Sequence, residues 1–487
     1  MAANGVVFDH TVKIVATIGE RTSPAYDKLE EILGQGTIRI NLAFCSKERY
    51  QELRDLIRRI RTKGGDKINI LLDAVGPRVK LGNLGSGVNL KEGAEVVITT
   101  QDPKKAATED RIGTIFKELP QFIKPGDPIL LAEGKFKLET VRVLNETDVL
   151  TRVVKGGFCK KRGINLPKTD LPVPALSDND KEDLAELLKE PDVDMVALSF
   201  VRNVADVKML RDFLEQVGRP DVRIMSKIET TPAVENINAI ASVSDALMVA
   251  RGDLWAELEN PWSLPSVTCD IIKAGQAIGI PVVTATQTLS SMQTNDLPTR
   301  AEVDELYFLI SRGTDCIMGS EEFAVGMYPE AVVHSIKAVG KEVDKEIQKS
   351  LSVPRYLSST PLDRELAGII WAEGTKRIRC ICIISSRANY LKEVYRHRPR
   401  KPLIAISNHS KSVHYFQLFQ VVPVLGKFQV TDDASAIARA ALKQLHLFGQ
   451  HDSALLIVNH TGPDTTKDHH FSRIEEIPLP SSADSLD

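Results

Sequence analysis

Two short stretches carry the residues best suited to chemistry. Met225-Ser226-Lys227-Ile228-Glu229 and Val249-Ala250-Arg251-Gly252-Asp253 each close an apolar, β-branched run on charged groups. Side chains alternate along a strand, so Lys227 and Glu229, two residues apart, project to the same side where the strand runs out. Gly252 lets backbone approach a ligand closely, and Asp253 falls at the predicted start of a helix, whose free N–H groups favour an anion. Two carboxylates for a hard cation, one ammonium and an anion-binding helix end suit a phosphate or carboxylate ligand. Taken alone, Lys227 and Glu229 read equally well as a surface ion pair of little worth. The elements around them decide between the two.

Short β-branched apolar runs recur at 12–18, 37–42, 68–72, 195–200, 222–228, 246–250, 281–285 and 316–318. Stretches with a 3.6-residue period lie between most of them, as at 46–61, 205–217, 265–278 and 302–311, and Ser177-Asp178-Asn179-Asp180 has the chemistry of a helix N-cap. Eight strands alternating with helices predict a (β/α)₈ TIM barrel whose site lies at the C-terminal ends of its strands. The rhythm breaks after the third strand. Closely spaced turn signals such as Gly82-Asn83-Leu84-Gly85, Lys124-Pro125-Gly126-Asp127 and Gly156-Gly157 predict an inserted all-β lid overhanging the barrel mouth, where it would exclude water. After a long helix to about 349 and a break at 350–361, strands at 378–384, 403–406 and 453–458 alternate with helices at 362–373, 391–395 and 434–448. That alternation predicts a C-terminal three-layer α/β domain, with 478–487 unstructured. The division expected is 1–82 with 173–345 for the barrel, 83–172 for the lid and 346–487 for the last domain.

With 487 residues and 43% hydrophobic content, the chain can bury several ordinary cores. Lysine and arginine number 62 against 65 acids, a balance that argues against nucleic acid as a partner. No basic leader precedes an apolar stretch and no run reaches 18 apolar residues, so neither secretion nor a membrane span is expected and the location expected is cytoplasmic. The six cysteines lack zinc spacing and read as reduced and buried, with Cys380 and Cys382 expected on opposite faces of a strand.

On a barrel, residues closing different strands converge. Arg39 and Asn41 close the second run, Asp73 the third, Lys227 and Glu229 the fifth, Gly252 and Asp253 the sixth and Thr286 the seventh. Glu229 and Asp253 suit Mg²⁺, which could polarise an enolate or carboxylate oxygen. Arg39 offers a planar fork for a phosphoryl group, Lys227 a point charge where charge builds during transfer, and Thr286 a hydroxyl to orient substrate or pass a proton.

Across nearly its whole length the chain resembles the pyruvate kinase family. The resemblance rests, in order, on Lys13-Ile14-Val15-Ala16-Thr17-Ile18-Gly19, Leu72-Asp73-Ala74-Val75-Gly76-Pro77, Asn165-Leu166-Pro167, Ser199-Phe200-Val201-Arg202, Ser226-Lys227-Ile228-Glu229, the stretch 248–254, Ala285-Thr286-Gln287 and Pro298-Thr299-Arg300-Ala301-Glu302. It implies phosphoryl transfer from phosphoenolpyruvate to ADP, giving pyruvate and ATP at the last step of glycolysis, by a Mg²⁺-dependent homotetramer. Carried over by position, Lys227 would stabilise the transferred phosphoryl group and Arg39 contact phosphate. Glu229 and Asp253 would hold Mg²⁺, and Thr286 with the backbone of Gly252 and Asp253 would hold substrate. Asn41 and Asp73 would be what remains of a K⁺ site, and Asn41, Lys80 and Arg162 would face nucleotide.

Departures from the family pattern are equally specific. Asn41-Leu42-Ala43-Phe44-Cys45 stands where the family has Asn-Phe-Ser-His-Gly, and Asp73-Ala74-Val75-Gly76-Pro77-Arg78 where it has Asp-Thr-Lys-Gly-Pro-Glu. Ala43 and Ala74 remove two hydroxyl ligands of K⁺, while Arg78 adds a fixed positive charge, as a lysine does in members that dispense with the ion. K⁺ independence is therefore expected. Trp255 replaces a glycine, Ser320-Glu321-Glu322-Phe323 replaces Ser-Gly-Glu-Thr, and Glu133-Gly134-Lys135 replaces Asp-Asp-Gly in the lid. The losses around Ala43, Phe44, Trp255 and Phe323 set as the alternative a catalytically weakened or inactive paralogue with a structural or interaction role, which a Trp255 indole wedged between Glu229 and Asp253 would support. The loop at 385–390 lacks the glycine of a phosphate-gripping effector loop, so regulation by a sugar bisphosphate is not expected.

Overall fold

In the computed structural model, which describes residues 12–18, 36–77, 79–132, 134–160, 163–167, 173–349, 364–385, 388–429, 432–447, 452–460 and 471–480, eight parallel strands close a barrel. They are Lys13–Ile18, Gly36–Asn41, Ile68–Asp73, Met195–Leu198, Arg223–Ile228, Ala246–Ala250, Val282–Ala285 and Cys316–Gly319, each hydrogen-bonded to the next, with the first paired to the last.

Strand alternation sorts the side chains into two sets. One parity packs outward against the helices and includes Ile38, Ile40, Ile70, Leu72, Val196, Leu198, Ile224, Leu247 and Val249. The other fills the barrel interior with Val15, Leu71, Met195, Ala197, Met225, Met248, Val283 and Met318. Followed toward the C-terminal ends, the interior parity turns polar: Val15 is followed by Thr17, Leu71 by Asp73, Ala197 by Ser199, and Met225 by Lys227 and then Glu229. The apolar layers hold the strands together, and the polar layer above them forms the floor of a cleft.

The opposite, N-terminal end of the barrel is covered by the C-terminal unit. Its sheet runs Val422–Leu425, Leu403–Ser407, Ile378–Ile384, Ser453–His460, Phe471–Pro478, with the last strand antiparallel. One face joins the barrel interior through Tyr395, Tyr415, Phe416 and Phe419; the other packs on the helix Ala434–Gln444. The Tyr415 hydroxyl donates to the Asp245 carbonyl (2.5 Å), and Arg398 with the Tyr395 hydroxyl reaches buried Asp315. Asp194 has its carboxyl held low, at about 2: burial opposes this, but His414, Lys411 and Arg61 outweigh it.

Between the third and fourth barrel strands the chain builds a six-stranded sheet, in the order Ile164–Asn165, Pro128–Leu131, Phe136–Val143, Asp148–Lys155, Glu95–Thr99, Arg111–Gly113, around its own core. A short pair, Val88–Leu90 with Gly157–Cys159, lies beside it. The chain is thus a (β/α)₈ barrel with an inserted β unit and a C-terminal α/β layer. Where it re-enters the barrel, Ser177 caps the helix Asp178–Leu187 in a capping box with Asp180, whose carboxylate also accepts the Val75 N–H at 2.9 Å. With the Gly76 N–H on the same carboxylate, this ties the end of the outgoing strand to the start of the returning helix.

Several expectations need correction. The fourth strand stops at Leu198 rather than 200, because Phe200 takes φ 55° and turns the chain. Two separate 3₁₀ turns, Leu42–Phe44 and Lys47–Arg49, precede the helix Tyr50–Gly64, which was expected from 46. Strands Val422–Leu425 and Phe471–Pro478 and the helix Ser410–Phe416 went unpredicted. Cys380 and Cys382 pack into one cluster on the same face, as residues two apart on a strand must. The break at 350–361, the start of the helix expected from 362 and the tail beyond 480 lie outside the described residues.

Candidate active site

Five strands deliver the polar floor. Register sets Thr17 opposite Arg39 and Asn41 opposite Asp73. The Arg39 guanidinium donates from Nη1 to Thr17 Oγ1 (2.9 Å) and from Nε to Asp73 Oδ2 (2.6 Å). The Lys227 ammonium sits 3.3 Å from Asp73 Oδ1 and 3.6 Å from Glu229 Oε2, and donates to Ser199 Oγ at 2.7 Å. Lys227 and Glu229 therefore share one mouth, and an exposed ion pair is excluded: Glu229 is 0% exposed and Lys227 is buried.

Burial and charge set the protonation of this cluster. Burial works against the Asp73 carboxylate, but Lys227 and Arg39 outweigh it and hold the carboxyl below its usual range. Burial also works against the Lys227 ammonium, which Asp73 and Glu229 nevertheless keep charged, above the usual lysine value. Glu229 falls the other way. Desolvation, aided by nearby Asp253, outweighs Lys227 and pushes the carboxyl up to about 7.

Glu229 Oε1 accepts the Phe200 N–H at 2.7 Å, whereas the buried Oε2 accepts no hydrogen bond among the described residues. Such an orphaned acceptor costs about 1–3 kcal/mol unless something binds it. Asp253 lies in the first turn of the helix Arg251–Glu257, and its charge reaches Glu229. No cluster of three or more His, Cys, Asp or Glu able to hold a metal occurs among the described residues. Two carboxylates, one with an unsatisfied oxygen, fit a hard cation that draws its other ligands from substrate and water.

Just past the seventh strand stands Thr286, whose Oγ1 accepts the Gly252 N–H at 2.9 Å, a bond that does not use its hydroxyl proton. Asn41 is only half gathered in. Its side chain accepts the Ala43 N–H at 3.0 Å and caps the 3₁₀ turn Leu42–Phe44. Lys80 lies at the root of the inserted unit, where its backbone bridges Gly163 and its carbonyl accepts from Thr114. Arg78, Glu133, Arg162, Ser386, Arg387 and the Phe44 side chain lie outside the described residues.

Both bulky replacements turn away from the cluster. Trp255 is two residues beyond Asp253 on a short helix, and side chains so spaced do not face alike. Its indole, 37% exposed, meets Trp262 edge to face with centroids 5.6 Å apart. Phe323 is fully buried in the core, over Gly319, where an added Cβ would lie 2.3 Å from its ring. Phe323→Ala should therefore lower stability by about 3–5 kcal/mol, read as a lower urea midpoint, with little effect on KM. Glu321 accepts from Gln293 at 3.0 Å, while Glu322 turns back to cap the Ser320 N–H.

Four partners escaped the sequence reading. Thr17 and Ser199 stand on the interior parity and orient Arg39 and Lys227. Glu257, one helical turn past Asp253, accepts from the lid residue Asn165 at 3.1 Å. Burial, with Asp253 and Glu229 nearby, lifts its carboxyl to about 7. The interior parity was a usable signal for the first two; nothing local marks the third, and Asn165 stood only in a stretch that carries the family resemblance, with no role attached.

The barrel-domain model of pyruvate kinase matches residues 9–333. A pyruvate kinase of Staphylococcus haemolyticus is 32% identical over 431 residues, covering 86% of this chain and 72% of that protein. A pyruvate kinase of Staphylococcus saprophyticus is 32% identical over 440 residues, covering 88% and 74%. In fold, the chain is similar to the crystal structure of a pyruvate kinase from Cryptosporidium parvum, with a TM-score of 0.82 over 99% of this chain and 98% of that one, at 24% identity.

Proposed function

Because the chain belongs to the pyruvate kinase family, we propose that it transfers the phosphoryl group of phosphoenolpyruvate to ADP, giving pyruvate and ATP in the cytoplasm. The observation that carries this reading is the buried cluster of Lys227, Arg39, Asp73 and Glu229 at the strand ends, with Glu229 Oε2 unsatisfied. Phosphoryl transfer breaks the bond from phosphorus to the enol oxygen and forms one to a terminal oxygen of ADP, and the enolate carbon then takes a proton. A positive charge fixed beside the moving group is what such a transition state needs.

In this reading Lys227 supplies that charge, held in place by Ser199 and Asp73. Arg39 contacts the phosphoryl oxygens from a guanidinium anchored on Asp73 and Thr17. Thr286 directs its free hydroxyl proton to the substrate, and the backbone of Gly252 and Asp253 lies against the carboxylate. Glu229 and Asp253 would hold Mg²⁺, which when bound polarises substrate oxygens and offsets their charge. Lys80, at the root of the lid, and Arg162, within it, are assigned to the nucleotide side, with the lid spanning 83–172, the barrel 1–82 with 173–345 and the last domain 346–487. The family supplies a tetramer by analogy. No helix among the described residues is long and apolar enough to cross a membrane.

K⁺ is not required in this reading. Asp73, one of the two K⁺ ligands left, is already neutralised by Arg39 and Lys227, and the other, Asn41, is spent on a cap. Pyruvate production with Mg²⁺ should be equal in K⁺ and in a tetraalkylammonium salt; strong activation by K⁺ would overturn this point. Ala43 and Ala74 favour a second reading, a weakened or silent paralogue, whereas the placements of Trp255 and Phe323 do not. A coupled assay for pyruvate from phosphoenolpyruvate, ADP and Mg²⁺ decides between them, and absence of turnover in well-folded protein would favour the second.

A further inference from the structure

The end of the seventh strand is strained. Thr286 takes φ 69° and Gln287 φ 54°, and a β-branched side chain at positive φ is an outlier that only its surroundings can impose. Buried Arg251, which follows the sixth strand and opens the helix Arg251–Glu257, wraps this turn: Nε donates to the Ala285 carbonyl (3.3 Å), and Nη2 to the Thr286 carbonyl (2.6 Å) and Thr288 Oγ1 (3.4 Å). Its remaining arm reaches Glu305 at 2.5 Å, on the outer helix Arg300–Ser311. The neighbouring Gly252 N–H then closes on Thr286 Oγ1.

We infer that Arg251, braced by Glu305, is a positioning residue that holds Thr286 in the conformation presenting its hydroxyl to substrate. The inference rests on the phosphoryl-transfer reading for its kinetic consequence, but not for its geometric one. A guanidinium serves here because its planar fork spreads its donors over three nitrogens, which reach two carbonyls and a carboxylate in different directions, whereas an ammonium offers its three donors from a single nitrogen. Glu305 thereby couples a half-exposed helix to the site.

The test uses the full chain, with steady-state kinetics and amide hydrogen exchange over 249–258 and 283–290. Arg251→Met should lower kcat by about 100-fold with KM for phosphoenolpyruvate changed by less than about threefold, as misplacement of a transition-state group does. Arg251→Lys should recover little of this. Glu305→Gln, a change on a half-exposed side chain that keeps the fold, should lower kcat by about 3–10-fold, also with little effect on KM. In a Thr286→Ala background, Arg251→Met should cost less than about threefold more, since residues acting through one another are not additive. Exchange over both segments should rise in Arg251→Met and Glu305→Gln. Fully additive kinetics, or unchanged exchange in Glu305→Gln, would overturn the inference. A wild-type protein without turnover would sink the proposed reaction alone, and the exchange measurement would still decide whether Arg251 and Glu305 hold the turn.

Discussion

Lys227→Met should reduce pyruvate formation by about 10³-fold or more, the scale seen when a fixed cation is removed from a phosphoryl-transfer site. KM for phosphoenolpyruvate should move much less, because the ammonium is needed most where charge shifts between donor and acceptor oxygens. Lys227→Arg should not rescue the rate. The ammonium fits between Ser199 Oγ, Asp73 and Glu229 on the floor of the cleft, and a planar guanidinium cannot reproduce those contacts without displacing one of them. The measurement is a coupled pyruvate assay on wild-type and variant protein prepared alike. Turnover that survives in Lys227→Met would mean a contaminant or another mechanism.

The barrel was legible because its strands are short β-branched runs spaced by helical periods, a pattern that survives without knowledge of contacts. The convergence of Arg39, Asp73, Lys227 and Glu229 followed from that pattern, since closing the barrel brings strand ends together. Interactions that closure itself creates were not legible. Thr17 donates to the Gly319 carbonyl 302 positions away, across the seam between first and last strands. Glu257 reads locally as a surface acid on a helix end; the returning lid, which lays Asn165 on it, makes it a buried one. For Trp255 the sequence reports bulk but not direction, although its offset from Asp253 on a helix already argued against a plugged site. Phe471–Pro478 has the mixed composition of an edge strand, and its partner, Ser453–His460, supplies the pairing that composition does not show.

Removing divalent cations should make stability depend on pH in a direction opposite to ordinary acid denaturation. Glu229 and Glu257 both have carboxyls lifted to about 7, chiefly by burial, with Asp253 adding to each and Glu229 adding to Glu257. A carboxyl raised above its unfolded value favours the folded state while protonated. Its contribution is therefore complete below about pH 4.5 and is lost as pH rises through about 7, on the order of 3 kcal/mol for one such group. Groups with depressed values, Asp73 and Asp194, act only at more acid pH and leave this window clear. A divalent cation at Glu229 and Asp253 favours the ionised form, so binding should release protons and the Tm gained on adding Mg²⁺ should grow between pH 5.5 and 8. Glu229→Gln, neutral at every pH, should remove much of both the metal-free decline and the Mg²⁺ increment. Thermal unfolding in chelator and in Mg²⁺ across that range is the measurement. A metal-free Tm that stays level, or a Mg²⁺ increment that does not change with pH, would show that Glu229 is ionised without a cation and that the buried cluster is balanced by its own lysine.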